Sequence, residues 1–287
     1  MKIKHLLCFI ALCLFFTPGK AQQLSVMTLR NGATVYIWED KSKPDVFGMI
    51  AFKVGSVDDP EQYTGLAHYL EHVMFKGTQT IDALDWEKEK PIYEKIIAKY
   101  DERAALSDPA AREAVDKEIN DLTREAAQYA AGNEFSLLVD HMGGQGLNAS
   151  TGYDQTEYHN SFPPSQLEKW LEIYSERLID PVFRGFQTEL EAVYEEYNMY
   201  NDDRGSRMRE FIYEQAFGDH PYARPIIGLP EHLKNPQLSK LIDFYNTWYG
   251  PQNMSIILVG NIDAKEAIPM IRDKFERVPR RAEIHRE

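Results

Sequence analysis

Residues 65–78 read GLAHYLEHVMFKGT and hold two histidines, His68 and His72, with Glu71 directly before the second. On a helix, positions four apart lie about 40° apart around the axis, so both imidazoles project from one face. A divalent cation shared by two imidazoles needs this spacing and not a neighbouring one. Leu66, Tyr69, Leu70 and Val73 fall on the other side, where they can enter a core. Glu71 stands at the edge of the histidine face, placed to take a proton from a water beside the cation without binding the cation itself. The pattern is H-x-x-E-H, the inversion of the H-E-x-x-H metallopeptidase motif. Two histidines and one carboxylate around an open position form a catalytic zinc set. An i,i+4 histidine pair also occurs on ordinary amphipathic helices, and the motif alone divides evenly between those two readings.

A third ligand has to come from elsewhere. The segment FQTELEAVYEEYNMYND, residues 186–202, reads as a helix rich in acid. With Leu190, Val193, Tyr194 and Tyr197 as its buried stripe, Glu189 and Glu196 share one flank, and Glu191 and Glu195 fall on the other, toward solvent. Two carboxylates on one flank suit a ligand and a supporting partner. Helical geometry does not choose between Glu189 and Glu196.

The surrounding elements alternate in type. LSVMTLRNGATVYIWED holds two alternating β-branched runs around Asn31-Gly32, the signal of a tight hairpin. VFGMIAFKVGS, Val46 to Ser56, predicts a third strand, and Thr64 is the expected N-cap of the histidine helix. From about 82 to 132 the chain turns charged and alanine-rich with helical periodicity, broken at Ser107-Asp108-Pro109. This predicts a helical hairpin laid on the domain surface. Strand character returns in GLNASTGYDQTEYHNSF, and SQLEKWLEIYSERLI predicts an amphipathic helix ended by Asp180-Pro181. NMSIILVGNID reads as a buried strand, and AKEAIPMIRDKFERV as a closing helix interrupted near Pro269. There are no internal repeats. Strands mixed with helices and beginning in a hairpin indicate an α+β fold rather than a doubly wound parallel one.

Composition bounds the function. Hydrophobic residues make up 43% and charged residues 27%, enough to bury an ordinary globular core. The start has a basic end, an apolar run from Leu6 to Phe16 and small residues near Ala21. That pattern is a secretory signal peptide over residues 1–21, too short to span a bilayer, and it implies export to the periplasm or beyond. Cys8 and Cys13 both lie inside it, so the mature chain has neither a disulfide framework nor a thiol nucleophile. No G-x-S-x-G occurs, which weighs against a serine hydrolase. Losing Lys2, Lys4 and Lys20 takes the formal net charge from -13 to -16. An acidic surface of that size argues against nucleic acid and anionic lipid as partners. Nothing after Ala21 is long and apolar enough for a membrane span.

Five segments in order, GLAHYLEHVMFKGT, GLNASTGYDQTEYHNSF, ELEAVYEEYNM, HPYARPIIGLPEHL and YGPQNMSIILVGNID, resemble the N-terminal peptidase domain of the M16 metallopeptidases. Pitrilysin, insulin-degrading enzyme and the mitochondrial processing peptidase belong to that family, whose first two strands LRNGATVYIWED also resembles. The resemblance implies a mostly antiparallel sheet with helices packed on it. It implies one domain over 22–280, an inserted helical hairpin at about 82–132 and a tail at 281–287. It further implies a zinc-dependent endopeptidase with one Zn2+ per chain on His68, His72 and Glu196, Glu71 as general base and Glu189 as the supporting acid. LNAST resembles the edge strand on which substrate lies, so Asn148 and Ala149 would hydrogen-bond an extended peptide by strand addition. His141 and His159 are expected to be structural.

Family members present two related domains across a chamber, whereas this chain ends soon after the first. The substrate-holding arginine and tyrosine of a second M16-type domain would then come from a partner chain, or from the rest of a longer enzyme. The alternative is a non-catalytic peptide-binding or regulatory subunit. Such members usually lose motif residues, and here His68, Glu71, His72 and Glu196 are all present.

Overall fold

The computed structural model describes residues 23–281 and residue 284. The expected signal peptide at 1–21 lies outside the described residues, as does most of the 281–287 tail. Strands β1 (Gln23–Thr28) and β2 (Thr34–Glu39) form the antiparallel hairpin read around Asn31-Gly32. Gly32 turns at φ 102°, a left-handed conformation that favours glycine. Asn31 is buried, and its amide donates to the carbonyls of Phe275 (2.7 Å) and Val278 (3.1 Å), tying the turn to the far end of the chain.

Strands β3 (Val46–Phe52), β4 (Gln145–Thr151), β5 (Thr156–Phe162) and β6 (Met254–Gly260) complete a six-stranded sheet in the order β1-β2-β6-β3-β5-β4. Only the β2–β6 pair is parallel, so the architecture is the anticipated α+β fold with a mostly antiparallel sheet. β3 stops short of the expected Ser56. The N–H groups of Ser56 and Val57 turn instead to the carbonyls of Gly152 and Tyr153, both at 3.1 Å, which draws the chain out of the ladder.

Alternation fixes which face is covered. Val35, Ile37, Ile50, Phe52, Tyr158, Phe162, Ile256 and Leu258 are buried on one side. There Gly48 lets Trp170 approach so closely that a Cβ would fall 2.5 Å from its ring. On the other side Leu24, Val26, Tyr36, Trp38 and Val259 are exposed, and the strand register sets Leu24 beside Trp38 and Trp38 beside Val259.

Nine helices of eight residues or more are present among the described residues: α1 (Leu66–Val73), α2 (Trp86–Ala105), α3 (Pro109–Ala126), α4 (Glu134–His141), α5 (Leu167–Glu176), α6 (Phe186–Asp202), α7 (Arg204–Phe217), α8 (Leu238–Trp248) and α9 (Ala264–Phe275). The pair α2–α3 is the helical hairpin read within 82–132, its helices capped by Asp85 and Asp108. It is more than a surface layer. Ile92, Ile96, Tyr100, Val115 and Ile119 join the main core, and Glu89 makes a buried ion pair with Arg184 at 2.6 Å. Helix α9 runs through Pro269 without the expected interruption. Proline removes one backbone hydrogen bond there, while Ala267, Ile271 and Phe275 stay buried along the same side. Among the described residues no helix is long and apolar enough to cross a membrane.

Candidate metal centre

Helix α1 begins differently from the sequence expectation. Gly65, not Thr64, occupies the cap position, at φ 89°. An added Cβ would lie 2.5 Å from the Ile227 carbonyl, so only glycine fits. The N–H groups that the helix start leaves without a backbone partner are met by buried Asp59, which accepts from Gly65 (2.7 Å) and Ala67 (2.9 Å). Thr64 serves the neighbouring loop instead. Its hydroxyl contacts His232 Nδ1 at 2.7 Å and accepts from the Leu229 N–H at 2.9 Å. Leu66, Ala67, Tyr69, Leu70 and Val73 are buried, and the Tyr69 hydroxyl donates to the Phe186 carbonyl at the start of α6. Those contacts hold α1 beside α6.

The consequence is a convergence of side chains from the two helices. Glu196 Oε2 lies 3.6 Å from His68 Nε2 and 3.5 Å from His72 Nε2. The three donor atoms that His68, His72 and Glu196 can offer lie within 4.8 Å of one another. Glu189 Oε2 stands 3.5 Å from His72 Nδ1, and its other oxygen pairs with Lys76 Nζ at 2.6 Å. The Tyr200 hydroxyl donates to Glu196 Oε1 at 2.9 Å. From strand β4, Thr151 donates to Glu71 Oε2 at 2.5 Å. Glu191 and Glu195 remain exposed on the far side of α6.

Electrostatics follow from burial and from these neighbours. Burial holds the His68 imidazole down at about 4, and the neighbouring His72 adds to the effect. Burial also opposes a charge on His72, but the carboxylates of Glu189 and Glu196 outweigh it and raise that imidazole to about 9. His72 in turn lowers Glu196 to about 2. Burial raises Glu71, with the Thr151 hydrogen bond acting against it. The site therefore offers a neutral imidazole, a second imidazole that holds a proton a cation can replace, and an ionised carboxylate.

This donor set fits zinc. The contacts of 3.5 and 3.6 Å are longer than ordinary hydrogen bonds. They approach the edge of about 3.3–3.4 Å that a tetrahedron with bonds of roughly 2.0–2.1 Å would have. Held by two nitrogens and one oxygen, a tetrahedral cation would keep one position for water or substrate.

His68, Glu71, His72 and Glu196 line a cleft of about 840 Å³, together with Asn148, Ala149, Ser150 and Thr151 of β4 and Arg209, Glu210 and Tyr213 of α7. β4 is one of the two edge strands of the sheet, β1 being the other. His141 is exposed at the end of α4, and His159 on β5 rests against the Phe47 ring at 5.5 Å. Neither lines the cleft. The roles of Thr151, Lys76, Tyr200 and Asp59 are not among those the sequence analysis assigns. Lys76 follows His72 by four residues and Tyr200 follows Glu196 by four, so helical spacing carried a signal for both. Thr151 had none, because its role depends on which strand packs against α1.

Comparison with known proteins finds similarity along most of the chain. The model of the insulinase family, peptidase family M16, matches residues 34–90 and 121–229. The gap between the two matched ranges falls inside the α2–α3 hairpin. The model of the M16 inactive domain matches residues 237–287, a stretch whose strand β6 lies between β2 and β3 in the single sheet. The probable zinc protease PqqL of Escherichia coli strain K12 is 25% identical over 270 residues, covering 90% of this chain and 23% of that protein. The crystal structure of a protease from Helicobacter pylori superposes with a TM-score of 0.71 at 22% identity, over 92% of this chain and 52% of that one. The first half of the periplasmic protease PqqL from Escherichia coli superposes at 0.68 with 25% identity, over 92% of this chain and 49% of the crystallised half. The chain thus spans about a quarter of the PqqL sequence and about half of each solved chain.

Proposed function

The chain belongs to the insulinase family of peptidases, family M16, and from this we propose that it is the N-terminal catalytic unit of a zinc-dependent endopeptidase acting on extended peptides or unfolded segments. One observation carries the reading: His68, His72 and Glu196 face one point, with Glu71 beside them and an edge strand along the same cleft. One zinc ion per chain, held by those three residues, supplies a Lewis acid that brings the pKa of water toward neutrality and polarises a carbonyl. Glu71 takes the proton of the attacking water and delivers it to the leaving amine. Thr151 orients the Glu71 carboxylate, and Glu189 orients the His72 ring through Nδ1. Asn148 and Ala149 receive the substrate as a strand added to β4, so the peptide must be extended and compact proteins are excluded.

In this reading residues 22–280 form one peptidase domain. A second M16-type domain, on a partner chain or on the rest of a longer protein, closes the cleft. Residues 1–21 act as a signal peptide cut after Ala21, which would place the protein in the periplasm or outside the cell.

The test is a peptide digest with the purified protein after its zinc has been quantified, run with and without candidate second-domain chains. Glu71→Gln is expected to keep the zinc and to lose about a hundred- to ten-thousandfold in turnover. Equal hydrolysis by both proteins would remove Glu71 from the mechanism. Zinc binding and peptide binding without hydrolysis under any pairing would leave the non-catalytic subunit instead.

A further inference from the structure

Glu196 has two oxygens, and they have different neighbours. Oε2 faces the Nε2 atoms of both imidazoles, whereas Oε1 accepts the hydrogen bond of Tyr200 at 2.9 Å. Tyr200 sits one helical turn beyond Glu196 on α6, so its ring lies along the same flank and its hydroxyl reaches back to the carboxylate. Its side chain lines the cleft and is 42% exposed, so it is not there to fill the core. A free carboxylate beside a cation can bind through one oxygen or through both. Binding through both would occupy the position that a water or peptide needs.

We infer that Tyr200 is a positioning residue of the metal centre, its hydroxyl holding Glu196 Oε1 aside so that Oε2 alone is offered to the cation. The inference rests on the zinc reading above and adds to it a named determinant of coordination number. It also accounts for the polar end of an exposed tyrosine being turned inward.

Tyr200→Phe is the informative variant, because it removes one oxygen and keeps the ring. The metal-free protein is expected to melt at the wild-type temperature, since an exposed hydroxyl contributes little to the core. Zinc affinity, read by competition with a chromophoric chelator, is expected to fall about ten- to hundredfold, the usual cost of losing a partner that orients a ligand. Cobalt substituted for zinc should show weaker visible absorption in the variant, as expected when coordination number rises. Zinc affinity and a cobalt spectrum indistinguishable from wild type would overturn the inference alone. Failure of the wild-type protein to bind zinc would overturn the zinc reading, and this inference with it.

Discussion

Thr151 and Glu71 meet where α1 packs against strand β4, and their hydrogen bond joins the proposed base to the strand proposed to receive substrate. Burial raises the Glu71 carboxyl, and the Thr151 hydroxyl, bonded to the charged form, pulls it back. Thr151→Val removes only the second influence, so the acid should hold its proton to higher pH. The acidic limb of the pH–rate profile is expected to move upward, with turnover reduced roughly tenfold near pH 6 and less at pH 8. A uniform loss at every pH would show that Thr151 acts on substrate rather than on the base. At this scale the sequence was informative wherever a helix sets the spacing. His68 and His72 share a face, and Glu189 and Glu196 share a flank, because the helical period puts them there. Thr151 was silent because no local rule says which strand α1 will touch.

Helix α1 owes its start to a residue outside it, and the cap has a pH signature. Burial raises Asp59 to about 7, although two N–H groups favour its charge. The ordinary aspartate value is about 3.9, so between about pH 4 and about pH 7 the folded protein binds a proton that the unfolded chain does not. Stability should therefore be highest below that window and fall as pH rises through it, by at most on the order of 4 kcal/mol. Asp59→Asn is expected to flatten this slope, as read from denaturant midpoints at pH 5 and pH 8; an unchanged slope would assign it to other groups. Local capping rules pointed to Thr64, since they weigh adjacent residues and miss a carboxylate folded back from a loop.

The α2–α3 hairpin offers a second test on the scale of elements. Arg184 donates to both oxygens of Glu89 and to the carbonyl of Lys76, close to the C-terminal end of α1. Glu89→Ala leaves that guanidinium buried without its anion and should cost about 3–5 kcal/mol by denaturant unfolding. Glu89→Ala combined with Arg184→Met is expected to recover part of the loss. The hairpin's helices were legible from period and composition. Its attachment was not, because a buried ion pair between residues so far apart in sequence has no local pattern.

Across the whole molecule, strand character is legible in the sequence wherever the sheet forms, and β1 and β2 are legible as partners across Asn31-Gly32, but β4 and β5 read as one stretch and the other neighbours do not show. Nothing local announces that β6 runs parallel to β2 and antiparallel to β3, because pairing is decided by contacts far apart in the chain. A protein ending at Gly250 would lack the strand joining the β1–β2 hairpin to the β3–β5–β4 group. It is expected to show no cooperative thermal transition by circular dichroism, and a sharp melt would mean that the two groups stand without their link. The central place of β6 also dictates a timetable. Emerging from the ribosome, the chain delivers two separate β pieces before the strand that connects them, Met254–Gly260, so neither piece can be sealed into the final sheet until that strand has followed. Assembly must wait for a long loop to close, so the sheet is expected to form slowly and to leave the edges of β2 and β3 unpaired until β6 arrives.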